Sequence, residues 1–229
     1  MWFQLLSGRE QLLDRVLGDE PVGSTFWQLL VVMITGAALY GAALGSWHGA
    51  RLAAYDALKL PLVLLLTSAC TVLFSWVASR ALGISLRFSQ VAVLTFVALA
   101  TAAVLLASLT PIAWFFTWCA PLPDTTARTT HNGLYLFHTV FVGMCGVGGT
   151  HTLWRAMLRL PHPRGVIAVA YVLWVLAYAL VGGEVAWALR PFVGSVSPKH
   201  PLVFLRDDAL KGNVYEFIGT DIAPYLWSR

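Results

Sequence analysis

From Phe88 to Pro123 the chain carries no Asp, Glu, Lys or Arg. Wound as an α-helix at ~1.5 Å per residue, that run is far longer than the ~30 Å hydrocarbon core of a bilayer demands. A soluble fold would have to hide it beneath polar surface, and this chain has little to offer. Of its 229 residues 58% are hydrophobic and 11% charged, with a mean hydropathy of +0.72. Soluble domains are about 45–50% apolar and about 25% charged. A fold that buries its backbone in lipid follows, which leaves helices that satisfy their own hydrogen bonds. The expected fold class is an all-α, polytopic integral membrane helix bundle.

Five stretches are long and charge-poor enough to cross, at about 24–46, 60–82, 88–110, 133–154 and 166–189. They make a five-helix transmembrane domain over 21–189, after an amphipathic helix within 1–20 and before an extramembrane tail over 190–229. In the first segment Trp2, Phe3, Leu5, Leu6, Leu12, Leu13, Val16 and Leu17 recur at helical spacing opposite Arg9, Glu10, Asp14 and Arg15. Such a helix either lies in the interface, anchored by Trp2 and Phe3, or covers the protein's own loops. Residues 48–59 read as a loop, with Pro61 just inside the second span, where its missing N–H costs nothing. Pro111 is expected to end the third helix near Thr110, leaving Trp114, Phe115, Phe116 and Trp118 in an interfacial segment; one kinked helix is the alternative.

Small residues predict where helices touch. Ala37, Gly41, Gly45 and Gly49 recur every fourth residue in the first span, and Gly143 and Gly146 lie in the fourth. Such ridges let backbones approach closely, and the glycine-rich fourth span is expected to be central. Short loops set orientation. Seven basic residues (Arg9, Arg15, Arg80, Arg87, Arg155, Arg159, Arg164) share the N-terminal side, against Arg51, Lys59 and Arg128 on the other. The positive-inside rule then puts the N-terminus in the cytoplasm and the tail outside, although the tail's own basic residues work against that count.

With this topology His48, His131, His138, Glu184 and Arg190 gather at the tail side as a binding or structural polar cluster. Glu184 stands out, because ionisable groups inside a span are rare and need partners. Six positions separate it from Arg190, which puts the two on different faces of one helix. Its partner must come from another span or from the tail, with His138 nearest in depth. His48 and His138 are also candidates for ligating a haem b between helices. His131, His138 and Cys145 share a face but stretch over roughly 20 Å, too far for one metal. No phosphate loop, HExxH, GxSxG or paired-carboxylate motif is present. The basic residues are scattered among loops, which excludes a nucleic-acid stripe. The tail holds Phe204, Tyr215, Phe217, Tyr225 and Trp227, too many apolar groups for a free linker. It is expected to fold back on the bundle or dock on a partner.

The pattern LRPFVGS, then PLVFLR, then GNVYE, over Leu189–Glu216, resembles the C-terminal signature of a group of uncharacterised bacterial polytopic membrane proteins. That likeness implies a bacterial inner (cytoplasmic) membrane and brings no activity. The five-span layout, with LKLPLVLLL at Leu58–Leu66, is similar to Yip1-type membrane proteins, which implies membrane trafficking or lipid organisation. Three functions stay open. The first is a non-catalytic scaffold or accessory subunit that engages lipid bilayer, partner subunits or further copies of itself. The others are a small oligomeric transporter or channel subunit using Glu184, His138 and Arg190, and a membrane redox or lipid-modifying enzyme. The scaffold is expected, with no catalytic residue, no metal and no cofactor.

Overall fold

A computed structural model describes residues 5, 9–18, 23–121, 128–194, 203–205, 209, 211–213 and 215. Six helices make up the described chain: α1 (Arg9–Leu17), α2 (Gly23–Gly45), α3 (Ala50–Ala81), α4 (Phe88–Cys119), α5 (Arg128–Met157) and α6 (Arg164–Ala188). No strand occurs among the described residues. The five helices after α1 are each long and apolar enough to cross a membrane. They run alternately up and down. One end carries α1 and the α3–α4 and α5–α6 turns. The other, here the tail end, carries the ends of α2, α4 and α6 and the starts of α3 and α5.

Helix α4 is the centre of the bundle, packing along α2 on one side and α5 on the other. Helix α2 also packs on α3, which in turn carries α6. The glycine-rich α5 was expected at the centre, but 78% of the most apolar window of α4 is buried against 22% of that of α5. Absence of charge, more than abundance of glycine, marks the central helix: most of the apolar window of α4 is buried and has nowhere to solvate an ion. Its hydroxyls are accordingly spent within the helix, as Thr95 Oγ1 donates to Val91 O at 3.0 Å and Thr101 Oγ1 to Val97 O at 2.8 Å.

Helices α5 and α6 scarcely meet. Between them lies a cleft of about 100 Å³, floored by Thr71 and Ser75 of α3 and Thr95 of α4, with Gly149 and Trp174 on its walls.

Three helices are longer than the sequence predicted, α5 by running from Arg128 to Met157 instead of 133–154, and α3 and α4 for reasons that involve their prolines. The supposed loop 48–59 is a 3₁₀ turn at Ser46–His48, the left-handed Gly49 (φ 97°), and then the first turns of α3. Pro61 sits inside that helix. A soluble helix would lose ~3 kcal/mol to it, but neighbouring helices in a membrane bundle offset such losses. Pro111 likewise does not stop α4, which continues to Cys119. Trp114, Phe115, Phe116 and Trp118 are exposed on its last turns instead of in a separate interfacial segment. With 32 residues each, α3 and α4 are ~48 Å long, so they tilt or emerge beyond the ~30 Å core.

The two readings of α1 resolve in favour of the cover. Leu5, Leu12, Leu13 and Val16 are buried in the main core cluster with residues of α2 and α4. The carbonyls left open at a helix C-terminus are taken by α4: Gln90 Nε2 donates to Leu17 O at 3.2 Å, and Arg87 donates to Gly18 O at 2.8 Å. On its polar face Glu10 pairs with Arg155 at 2.9 Å, and Arg159 bonds both Glu10 and Asp14. Trp2 and Phe3, the expected anchors, lie outside the described residues.

Candidate functional site

At the tail end α2 and α3 meet with almost no side chain between them. A Cβ built on Gly41 would lie 2.2 Å from Asp56 O, and one on Gly45 would lie 2.6 Å from both Leu52 O and Asp56 Oδ2. Ala37 is fully buried on the same helix. Gly36, one position from the expected ridge, does the same against Ala103 of α4. Small residues at these four positions therefore seat α2 between its neighbours. Gly49 shapes the turn instead of packing within this chain, and Gly143 and Gly146 face open space in it. Their role in α5 falls to Gly148 and Gly149, against Leu105 and Ala98 of α4.

The close α2–α3 approach encloses an ion pair. Asp56 and Lys59 are both 0% exposed, with Lys59 Nζ 3.8 Å from Asp56 Oδ1. Three positions apart on α3, they share a face. Lys59 Nζ donates to Pro191 O, just past α6, at 2.7 Å. Its ammonium also lies 5.6 Å from the Phe192 ring centroid and 5.5 Å from that of Phe204. Lysine at 59 thus ties α3, the segment after α6 and the tail together. A charge-assisted bond of this kind is worth about 1.5–3 kcal/mol, and each cation–π contact about 0.5–2 kcal/mol. Asp56 is less well served, since among the described residues neither carboxylate oxygen accepts a hydrogen bond.

The predicted polar cluster is divided among three places. His138 is buried deep between α2 and α4: Tyr40 Oη lies 3.0 Å from Nδ1 and Thr117 Oγ1 3.3 Å from Nε2. Thr117 spends its own proton on Ala113 O at 2.7 Å, so it accepts from Nε2–H and Tyr40 donates to Nδ1. Both ring nitrogens are used. In this arrangement His138 bridges α2 and α4 through Tyr40 and Thr117.

His48 and His131 do come together, around Trp47 and Gly194. Trp47 has its ring centroid 5.0 Å from that of His48 and 6.0 Å from that of His131. His131 Nε2 donates to Gly194 O at 3.1 Å. A Cβ at Gly194, where φ is 81°, would lie 2.2 Å from the His48 ring, so both backbone and space call for glycine. His48 Nε2 has no hydrogen-bond partner among the described residues. Beside it a recess of about 570 Å³ opens between the end of α2 and Thr117 and Trp118 of α4, with Ala120 just past that helix.

Glu184 and Arg190 remain on and just past α6. Arg190 stacks over the Trp187 ring at 3.9 Å and donates to Trp187 O at 2.8 Å. Glu184 Oε1 is buried with no hydrogen-bond partner among the described residues. Nearby, Tyr215 of the tail donates to Leu180 O at 2.6 Å. Partial burial, and then the Glu184 carboxylate, push the Tyr215 phenol above its usual range. With Phe204 edge-on to Tyr55 at 5.5 Å, these contacts fold the described part of the tail back onto the bundle. Among the described residues no hydrogen bond or ion pair joins Glu184, Arg190 and His138, and no group of three His, Cys, Asp or Glu side chains is placed to hold a metal ion.

Sequence reasoning missed Asp56 and Lys59 because it placed them in a loop. The available signal was ARLAAYDALKL, rich in strong helix formers from Ala50 onward, with its acid and base at helical spacing.

The fold and this arrangement define the class: an α-helical, polytopic integral membrane protein whose buried Asp56, Lys59 and His138 lie toward its tail end. Compared with known proteins, the chain matches no family model, no curated protein and no solved structure.

Proposed function

We propose that the chain is a non-catalytic integral membrane scaffold or accessory subunit, whose tail end is the face it offers to partner subunits or lipids. One observation carries this reading. Lys59 is used to fasten the chain's own parts, binding α3 to Pro191, Phe192 and Phe204. His138 and His131 are spent the same way. Side chains that carry chemistry are normally left poised toward a cavity, whereas these stabilise a surface. The seven-to-three distribution of basic residues near the span ends, counted without the tail's own, supports placing that surface outside and α1 in the cytoplasm. The likeness of Leu189–Glu216 to bacterial membrane proteins supports a bacterial inner membrane as the setting.

The test is isolation of the full chain from its native membrane in mild detergent, with the proteins and lipids that accompany it identified by mass spectrometry. A reproducible companion protein or retained lipid is expected. A monodisperse monomer carrying neither contradicts the proposal.

A further inference from the structure

We propose that Asp56 is a proton-binding site whose occupancy sets how firmly Lys59 holds the segment after α6. This goes beyond the scaffold reading and does not depend on it.

Asp56 and Lys59 are unequally partnered. Lys59 has a carbonyl at 2.7 Å, a carboxylate oxygen at 3.8 Å and two aromatic faces. Asp56 has the ammonium at that longer distance and no hydrogen bond from a described residue. An ionised carboxylate accepts through two oxygens. Left without donors in a buried place, it is held only by the opposite charge beside it. Helix α2 packs directly onto it through Gly41 and Gly45. Among the described residues the charged group that bears on Asp56 is Lys59.

Two states follow. With Asp56 ionised, the buried pair is neutral overall and Lys59 stays seated on Pro191 O. When a proton from water bonds to a carboxylate oxygen, Asp56 becomes neutral and Lys59 is the uncompensated buried charge. Removing one partner of a buried pair is the costly change, because the other is left without its counter-charge. The ammonium then leaves toward the tail-end water or gives up its proton there, and the hold on Pro191, Phe192 and Phe204 weakens. Access is short: Asp56 Oδ2 rests against Gly45, and the open recess begins at the next residue, Ser46.

Other titratable groups touch the same segment. His131 donates to Gly194 O and keeps that bond when it is charged. His48 packs on Gly194. Arg190 is stacked on Trp187, and Glu184 lies near Tyr215. Release on acidification through Asp56 is therefore separable from titration of these groups by Asp56→Asn.

The experiment uses the full chain in lipid nanodiscs. Amide exchange of residues 192–194 and 203–205 is followed between about pH 8 and about pH 5, corrected for the intrinsic pH dependence of exchange. In the unaltered chain, protection is expected to fall by about tenfold on acidification, equivalent to ~1.4 kcal/mol. Asp56→Asn should show the low value at both ends, and Lys59→Met should be low and insensitive to pH. Infrared difference spectra of the unaltered chain should gain the C=O stretch of a protonated carboxyl free of hydrogen bonds, absent from Asp56→Asn. Protection that does not change with pH, or a pH response that survives in Asp56→Asn, overturns the proposal. If Asp56→Asn does not fold, absence of that infrared band from the unaltered chain overturns it equally.

Discussion

Gly41 and Gly143 are the same residue under opposite demands. At Gly41 a methyl group would meet the backbone carbonyl of Asp56, which cannot rotate away; at Gly143 it would meet nothing within 4 Å. Overpacking a close contact costs about 1–3 kcal/mol, and Ala is better than Gly in an exposed helix position. Gly41→Ala is therefore expected to lower stability by about 1–3 kcal/mol, with Gly143→Ala neutral or slightly stabilising, as read from reversible unfolding in mixed detergent micelles. Equal effects at the two positions contradict the α2–α3 packing described. Spacing alone could not separate these glycines, because a repeat of four reveals a ridge without saying which helix it faces. The buried Asp56 and Lys59 were harder still to read. Charge lowers local hydropathy whether it lies in water or is hidden inside, and only the glycines opposite them on another helix decide between the two.

At the scale of elements, α1 is held by two kinds of contact of different strength. Leu13 is fully buried, and truncating a buried leucine costs about 2–5 kcal/mol. The pairs of Glu10 and Asp14 with Arg155 and Arg159 are largely exposed, and such pairs contribute about 0–1 kcal/mol and weaken with salt. Leu13→Ala should therefore release α1, seen as rapid amide exchange over 9–17, while Glu10→Gln with Asp14→Asn leaves exchange within about threefold of the parent, consistent with that small contribution. The reverse order would show that charge docks this helix. The amphipathic pattern of α1 was plain in the sequence, but its partner was not, since a bilayer and a protein core ask for the same apolar stripe. The five spans were legible for a stronger reason: length and absence of charge leave a chain no alternative. Their ends were less so, because proline marks a boundary in water and is tolerated within a bundle, as at Pro61 and Pro111.

On the scale of the whole molecule, an odd number of crossings separates two differently built ends. One is closed by α1 through an apolar face and surface ion pairs. The other gathers the His48–His131 pair, the enclosed Asp56–Lys59 pair, Glu184 and the returning tail. The functional account rests on that separation, since a scaffold whose tail shared a side with α1 could not present the face fastened by Lys59. A dual-reporter fusion tests it most directly, with one reporter before Arg9 and another after Tyr215, each active in a single compartment. The account predicts that the two report opposite sides of the membrane. Both reporting the same side would contradict five crossings and the grouping of polar residues at the tail end.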